Sequence, residues 1–439
     1  MNKNQILSKT KELLNRKIEK LWREKEKYVV NPKSDFTRRG KTSFKDDINF
    51  IIGTSGRTLK EELYNYFGYN KDIISVPGIV QSRAKIKEEA FMALLKEINK
   101  SYATIKKING YLLCAVDGSD MNIYPDPEET STRVTKKENR KCANQYHLNA
   151  IYDILNHRFI DAIIEGVRKL GEIPALIKLI DSYHDDKTIF MADRGYISYN
   201  ALEHIRQSGH KFLFRCQDIH SRNSIIKKFN YPKNEEEFDI EVEITLTNDR
   251  NIYKGNEDTH RFIASNQNFD YLDKENHEYK SKYRVLRFKI NDDYECIITN
   301  LDKDEFNINE IKELYGLRWQ IETAFRHLKY SVSLLAFHSK KREFIKQEIW
   351  ARFILYNLSF IVIECINDSK IKKSEKFIYK LNIKNTMHII RDLLLKRKSG
   401  YPPDLLEMIE REILPIRPNR KYACKVYGKS LIHFNYRFS

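Results

Sequence analysis

Residues 315–329 read Tyr-Gly-Leu-Arg-Trp-Gln-Ile-Glu-Thr-Ala-Phe-Arg-His-Leu-Lys. At about 100° of helical rotation per residue, Tyr315, Arg318, Glu322 and Lys329 fall at about 0°, −60°, −20° and −40°. They form one narrow polar stripe. Leu314, Leu317, Ile321, Phe325 and Leu328 form an apolar stripe beside it. The spacing predicts one helix from about Asn309 to Val332. Such a helix packs one face and lines its margin with a phenol, a guanidinium, a carboxylate and an ammonium. That set suits metal ions and phosphate oxygens.

Two further acids stand where a helical carboxylate finds partners. The apolar run Tyr-Leu-Leu-Cys-Ala-Val (111–116) leads into Asp117-Gly118-Ser119, and Thr-Ile-Phe-Met-Ala (188–192) leads into Asp193-Arg194-Gly195. Both runs predict short buried strands that end at their aspartate. Ligand sites in α/β sheets collect at such carboxyl edges. Two strand-end aspartates and a helical glutamate are hard oxygen donors, suited to a pair of Mg²⁺ ions. Paired ions activate an attacking water or 3′-hydroxyl and stabilise the leaving oxygen of an in-line phosphoryl displacement. A lone aspartate after a strand is more often a turn or a cap. Three acids together with the striped helix are poorly explained that way.

The rest of the chain fits a phosphate-rich partner. Its 439 residues favour two to four domains. The 78 Lys and Arg outnumber the 61 Asp and Glu, for a net charge of +17. A lysine-rich, AT-rich genome gives the same sum, but the charge is clustered. After Glu412 no acid follows, while Arg417, Arg420, Lys421, Lys425, Lys429 and Arg437 do. Arg16, Lys17, Lys20, Arg23, Arg38, Arg39 and Lys41 make the beginning basic as well. Neutralising phosphates releases counterions, so these clusters favour a polyanion. Six scattered cysteines without a Cys-x2-Cys pair indicate neither a zinc site nor a disulfide framework. The charged opening is unlike a signal peptide, and residues 353–366 are too short an apolar run to span a bilayer. These features fit a reducing compartment and no membrane partner.

Helical patterns occupy 1–30 and, after a basic loop at 31–43, the segments 45–53, 58–68 and 78–98. The last of these, with Gln81, Ser82, Arg83 and Lys85, reads as the second helix of a helix-turn-helix or as an ordinary surface helix. Strand signals begin at Gly110. Residues 147–155 and 157–165 pair through a tight Asn156-His157 turn. Helix and strand then alternate to Cys216, which predicts a mixed α/β sheet with helices on its faces. Residues 217–306 alternate like antiparallel strands and read as an all-β insertion. Long helices are expected at 343–366, 374–398 and 403–412.

Asp117-Gly118-Ser119, Asp193-Arg194-Gly195-Tyr196 and Tyr315, Arg318, Glu322 and Lys329, in that order, resemble the DDE transposases of bacterial insertion sequences. The branch is the one marked by a Tyr-Arg-Glu-Lys signature, the insertion-sequence-four family. The resemblance covers about 110–335. It implies an α/β, RNase H-like mixed-sheet catalytic core at 106–216 and 307–340, interrupted by an antiparallel β insertion at 217–306. A helical DNA-end-binding domain at 1–105 and a helical region with a basic tail at 341–439 would flank it. It further implies excision of the element from double-stranded DNA at its terminal inverted repeats and joining of its 3′ ends to target DNA. Two Mg²⁺ ions would serve, with Mn²⁺ an acceptable substitute, in a synaptic homodimer.

On this resemblance Asp117, Asp193 and Glu322 are the catalytic metal ligands. Arg318 and Lys329 would contact phosphates near the cleaved end, the former as a planar fork and the latter as a point charge. Tyr315 would donate to a phosphate oxygen or simply pack. Arg194 and Arg326 are further phosphate candidates, and Trp319 would stack on an unpaired base. Related enzymes cut the second strand through a DNA hairpin, and some hold a flipped base with a tryptophan of the insertion. Here the three tryptophans are Trp22, Trp319 and Trp350, all outside it, so Tyr253, Phe262 and Tyr271 are the substitutes. His147, His157 and His327 read as hydrogen-bonded or surface histidines, because two-metal chemistry needs no imidazole base. A nuclease without strand transfer and a transposase-derived DNA-binding protein without catalysis are the alternatives.

Overall fold

The computed structural model describes residues 4–102, 105–134, 143–227, 229–232, 235–290, 293–366, 378–395 and 405–416. The basic tail beyond Ile416 lies outside the described residues.

The first hundred residues form a helical bundle: α1 (Asn4–Arg23), α2 (Phe44–Gly53), α3 (Leu59–Phe67), α4 (Val76–Arg83) and α5 (Glu89–Asn99). Sequence sets the starts. Ser43 with Asp46, and Thr58 with Glu61, close capping boxes that satisfy the free amides of α2 and α3, and Ser75 caps α4. The single helix expected at 78–98 is two. The chain breaks between α4 and α5, where Ile86 bridges to Val29 and Val30 N–H bonds the Lys85 carbonyl. A tertiary strand contact overrides local helix propensity there.

A nine-stranded sheet follows. Its strands are β1 (Leu112–Ile123), β2 (Asn144–Asp153), β3 (Arg158–Gly166), β4 (Thr188–Ala192), β5 (Lys211–Cys216), β6 (Phe238–Thr247), β7 (His260–Phe262), β8 (Glu278–Ile290) and β9 (Asp293–Thr299). Between them lie α6 (Glu172–Asp181), α7 (Tyr199–Gln207) and a short α8 (Arg250–Tyr253). The spatial order is β3-β2-β1-β4-β5-β9-β8-β6-β7. Strands β1, β4 and β5 are parallel, β2 runs antiparallel to β1, and β3 runs antiparallel to β2. The mixed α/β sheet is as the alternation predicts. Two features differ. The strands of 217–306 extend the same sheet through the β5–β9 pair, and β6 pairs with β7 in parallel, so this segment is not wholly antiparallel.

Alternation along β1 divides the core. Leu112, Cys114 and Val116 pack with residues of α6 and α7. Leu113, Ala115 and Met121 face the other side, which is covered by α10 (Gln320–Tyr330) and α11 (Arg342–Ile363). Asp117 shares the period of Leu113 and Ala115 and so faces α10. Helix α11 packs on α2, α5 and β3. Covered on nearly every side, it has little polar face to show in sequence.

Three further expectations are corrected. The helix foreseen from Asn309 to Val332 is broken into α9 (Ile308–Leu317) and α10, with a tight turn at Arg318 and Trp319. Arg318 N–H bonds the Tyr315 carbonyl there, three residues back rather than four. Strand β1 does not end at Asp117 but runs on to Ile123, because the β2 ladder continues to Asn144. The C-terminal region is not all helical. Besides α12 (Ile383–Leu395) and α13 (Leu405–Arg411) it holds a two-stranded ribbon of β10 (Ile378–Leu381) and β11 (Ile413–Ile416). Among the described residues no helix is long and apolar enough to cross a membrane.

Candidate active site

The β1–β4 pairing ends at Ala115 and Met191, and the two aspartates lie just past it. Asp117 continues along β1, while Asp193 opens the turn after β4. Each is fixed by the backbone that follows. Asp117 Oδ1 accepts the Gly118 N–H at 2.8 Å, and Asp193 Oδ1 accepts the Gly195 N–H at 2.9 Å.

The break between α9 and α10 brings Arg318 to this edge. Its guanidinium, in a residue only 4% exposed, donates from Nη2 to Glu322 Oε1 at 3.0 Å. Its Nη1 lies 3.8 Å from Asp117 Oδ2. One buried cation thus joins two of the three predicted acids. Asp193 is close enough to act on the same group: burial, together with the charges of Asp193 and Glu322, pushes the Asp117 carboxyl up to about 6 despite Arg318 and the Gly118 amide. Mutual repulsion among carboxylates is what a cation site produces before its cation arrives. Among the described residues, however, no three carboxylates, imidazoles or thiolates already cluster as a metal cage.

The remaining donors support a ligand. The Tyr315 hydroxyl and Arg318 Nε are buried with no hydrogen-bond partner. Buried polar groups are seldom left so. Tyr315 is not on a polar margin as the wheel placed it; it is in the core, 4% exposed, with its hydroxyl raised by burial. Trp319 is 55% exposed, with the Arg318 guanidinium 4.8 Å from its ring centroid. Lys329 is half-buried near Asp120, and burial lowers its pKa. Arg194 and Arg326 are exposed. The donor set thus suits hard divalent cations and phosphate, and it gathers Asp117, Glu322, Arg318 and Tyr315 most closely.

Sequence reasoning missed a second layer. Asp120 and His147 are register partners across β1 and β2, and their side chains meet at 2.7 Å. His147 Nε2 reaches to 4.0 Å from Glu172 Oε1, at the start of α6. Asp120 raises the pKa of His147, while burial and the Asp193 charge raise that of Glu172. Both side chains press on the glycines beside the aspartates. A Cβ on Gly118 would lie 2.7 Å from His147 Nε2, and one on Gly195 2.5 Å from Glu172 Oε2. The signal for the Asp120–His147 pair was the β1–β2 register, which no short turn sets, since β1 ends at Ile123 and β2 begins only at Asn144. His157 and His327 are elsewhere. His157 lies 3.5 Å from Glu364, and His327 is pushed down to about 4 by burial and by Arg326. Tyr253, Phe262 and Tyr271 are half-buried and engaged with other rings.

Known proteins resemble parts of this chain in sequence. The chain is 25% identical over 318 residues to the transposase for insertion sequence element IS1151 of Clostridium perfringens, a match covering 67% of this chain and 66% of that protein. It is 39% identical over 59 residues to transposase InsG for element IS4 of Escherichia coli K12, 13% of each chain. With the transposase for element IS421 of Escherichia coli it shares 34% over 73 residues, 17% of this chain and 19% of that one. The matched stretches thus span less than two thirds of each of these relatives. A solved piggyBac transposase synaptic complex with hairpin DNA aligns with 95% of this chain and 84% of that one, at a TM-score of 0.45 and 10% identity. The family model of the transposase DDE domain matches residues 108–358, more than half of the chain and every site residue placed above, and the chain belongs to that family.

Proposed function

We propose that this chain is the transposase of an insertion sequence, a DNA-cleaving and strand-transferring enzyme. The observation that carries the reading is the Arg318 guanidinium shared by Asp117 and Glu322, with the Asp193 charge felt at the same carboxyl. The order β3-β2-β1-β4-β5, with only β2 antiparallel to its neighbours, supports an RNase H-like core extended by the strands of 217–306.

Asp117, Asp193 and Glu322 would hold two Mg²⁺ ions, or Mn²⁺ in their place. When bound, these ions activate the attacking water or 3′-hydroxyl and offset charge on the leaving oxygen. The chain's own residues do the rest. Arg318 would offer its planar fork to a phosphate. The orphan Tyr315 hydroxyl donates to a phosphate oxygen, and Lys329 adds a positive charge near the cleaved strand. Trp319, exposed beside Arg318, offers a ring to an unpaired base. Arg194 and Arg326 supply outer phosphate contacts. The partners are double-stranded DNA carrying the terminal inverted repeats, target DNA, and a second copy of the chain in the synaptic complex. Residues 1–105 bind the ends. Excision through a hairpin follows from the family resemblance. The setting is the bacterial cytoplasm.

The test is incubation of the purified protein with element-end DNA and Mg²⁺. Wild type is expected to cut at the ends, and Glu322→Ala to bind them equally while cutting on the order of 10³-fold more slowly. Binding without cutting by wild type would leave a DNA-binding protein. Cutting by Glu322→Ala at the wild-type rate would remove Glu322 from the mechanism.

A further inference from the structure

A second basic site lies in the N-terminal bundle, formed by the loop 33–42 and the flank of α4. The cleft between them has a volume of about 700 Å³, and Lys33, Arg38, Arg39, Lys41 and Lys85 line it. No acidic residue is among its lining residues. Three lysines elsewhere on the bundle are paired: Lys17 and Lys20 with Glu97, and Lys45 with Glu19. Among the described residues, no carboxylate pairs with Lys33, Arg38, Arg39 or Lys41. Gathering these four basic side chains without an ion-pair partner gains nothing in folding.

The loop that carries them is held in shape. Buried Asp35 accepts the Asn31 N–H at 2.7 Å, and Thr37 donates to the Ser34 carbonyl at 2.9 Å. Phe36, at a φ of 53°, anchors the loop edge-on against Phe44. Buried Thr42 bonds Ser82, which bonds the buried carboxylate of Asp47 beneath the cleft. Lys85 lies 5.6 Å from the Phe36 ring centroid. Helix α4 shows this cleft Gln81, and Lys85 follows in the turn after the helix. Arg83 turns the other way, buried against Glu348 at 2.9 Å, so it does not belong to a DNA-reading face as its place in the sequence suggests.

We propose that this cleft grips the sugar–phosphate backbone of duplex DNA, with Arg38, Arg39 and Lys41 as its phosphate contacts and Gln81 facing the nucleic acid. The inference rests on the reading of the protein as a transposase and assigns one surface of residues 1–105 to it. Backbone contacts of this kind carry affinity and salt dependence rather than sequence.

The experiment measures the affinity of the full-length protein for mixed-sequence duplex DNA over a range of salt concentrations. The variants are Arg38→Ala/Arg39→Ala/Lys41→Ala and a control, Lys100→Ala/Lys169→Ala/Lys282→Ala, which removes equal charge from lysines already paired with acids. The cleft variant is expected to bind at least about tenfold more weakly at low salt, with a log–log salt slope shallower by about 3. Its thermal unfolding should match wild type, since the three side chains are exposed. An unchanged slope, an equal loss in the control, or an equal effect on duplex RNA overturns the assignment. If wild type itself binds no duplex DNA, the transposase reading falls and not the cleft alone.

Discussion

Arg318 makes the candidate site compact, and it does so by standing where cations are wanted. Its fork holds Glu322 and leans on Asp117, so the carboxylates are neutralised by protein in the absence of metal. The compensation is incomplete, as the Asp117 carboxyl at about 6 shows. The folded state therefore keeps a proton that the unfolded chain has already lost. Stability contributed by that proton is full below about pH 4 and is lost as pH rises to about 6. Asp117→Asn should remove this slope and stabilise the metal-free protein at pH 7.5 by about 1–3 kcal/mol. Thermal unfolding at pH 4.5 and 7.5 checks it, and a variant less stable than wild type at pH 7.5 contradicts it. At this scale the sequence was readable for chemistry and less so for environment. The wheel put Arg318 and Glu322 on one side, where they meet, but placed Tyr315 on a polar margin although it is buried. A helical wheel carries no information about a break at Arg318–Trp319, and that break sets which side chains go inward.

At the scale of elements, the β1–β2 hairpin matters more than a short strand ending at an aspartate. By running on to Ile123, β1 places Asp120 opposite His147 and closes Gly118 under the imidazole. Gly118→Ala must push a Cβ into His147 and the Tyr196 hydroxyl, which lie 2.7 and 3.1 Å from its ideal position. A loss of about 1–3 kcal/mol in denaturant unfolding is expected. A loss below about 0.5 kcal/mol, the range of an ordinary surface change, would show that the hairpin yields freely there. Apolar periodicity located the strands and most helices. It missed the split of α4 from α5 and the β10–β11 ribbon, because both depend on partners distant in sequence: Val29 for Ile86, and Ile413–Ile416 for Ile378–Leu381.

Across the whole molecule, the bundle, α11 and the segment between α10 and α11 are tied by buried charge. Arg83 of α4 meets Glu348 of α11, Glu348 accepts from His338, and His338 approaches Glu62 of α3 at 3.8 Å. Burial alone would raise Glu62, but bonds from His338 and Ser55 outweigh it and hold the carboxyl at about 2. Its stabilising share is therefore present above about pH 4.5 and lost as pH falls toward 2. Glu348→Gln, which leaves Arg83 buried and half-paired, should cost about 3–5 kcal/mol. Loss below about 1 kcal/mol in urea unfolding would contradict this. The Arg83–Glu348 and Glu62–His338 partners could not be named from sequence, since they pair at separations of more than two hundred residues. What was legible at this scale was the charge excess and the order of the three acidic motifs along the chain.

The central claim is that Asp117, Asp193 and Glu322 bind the same paired divalent ions. Anomalous diffraction from crystals of the full chain soaked in Mn²⁺ tests it most directly. Two manganese peaks, together ligated by all three carboxylates and with Arg318 withdrawn from Asp117, are predicted. Manganese bound elsewhere, or bound here with Asp193 outside the coordination shell, would contradict the account.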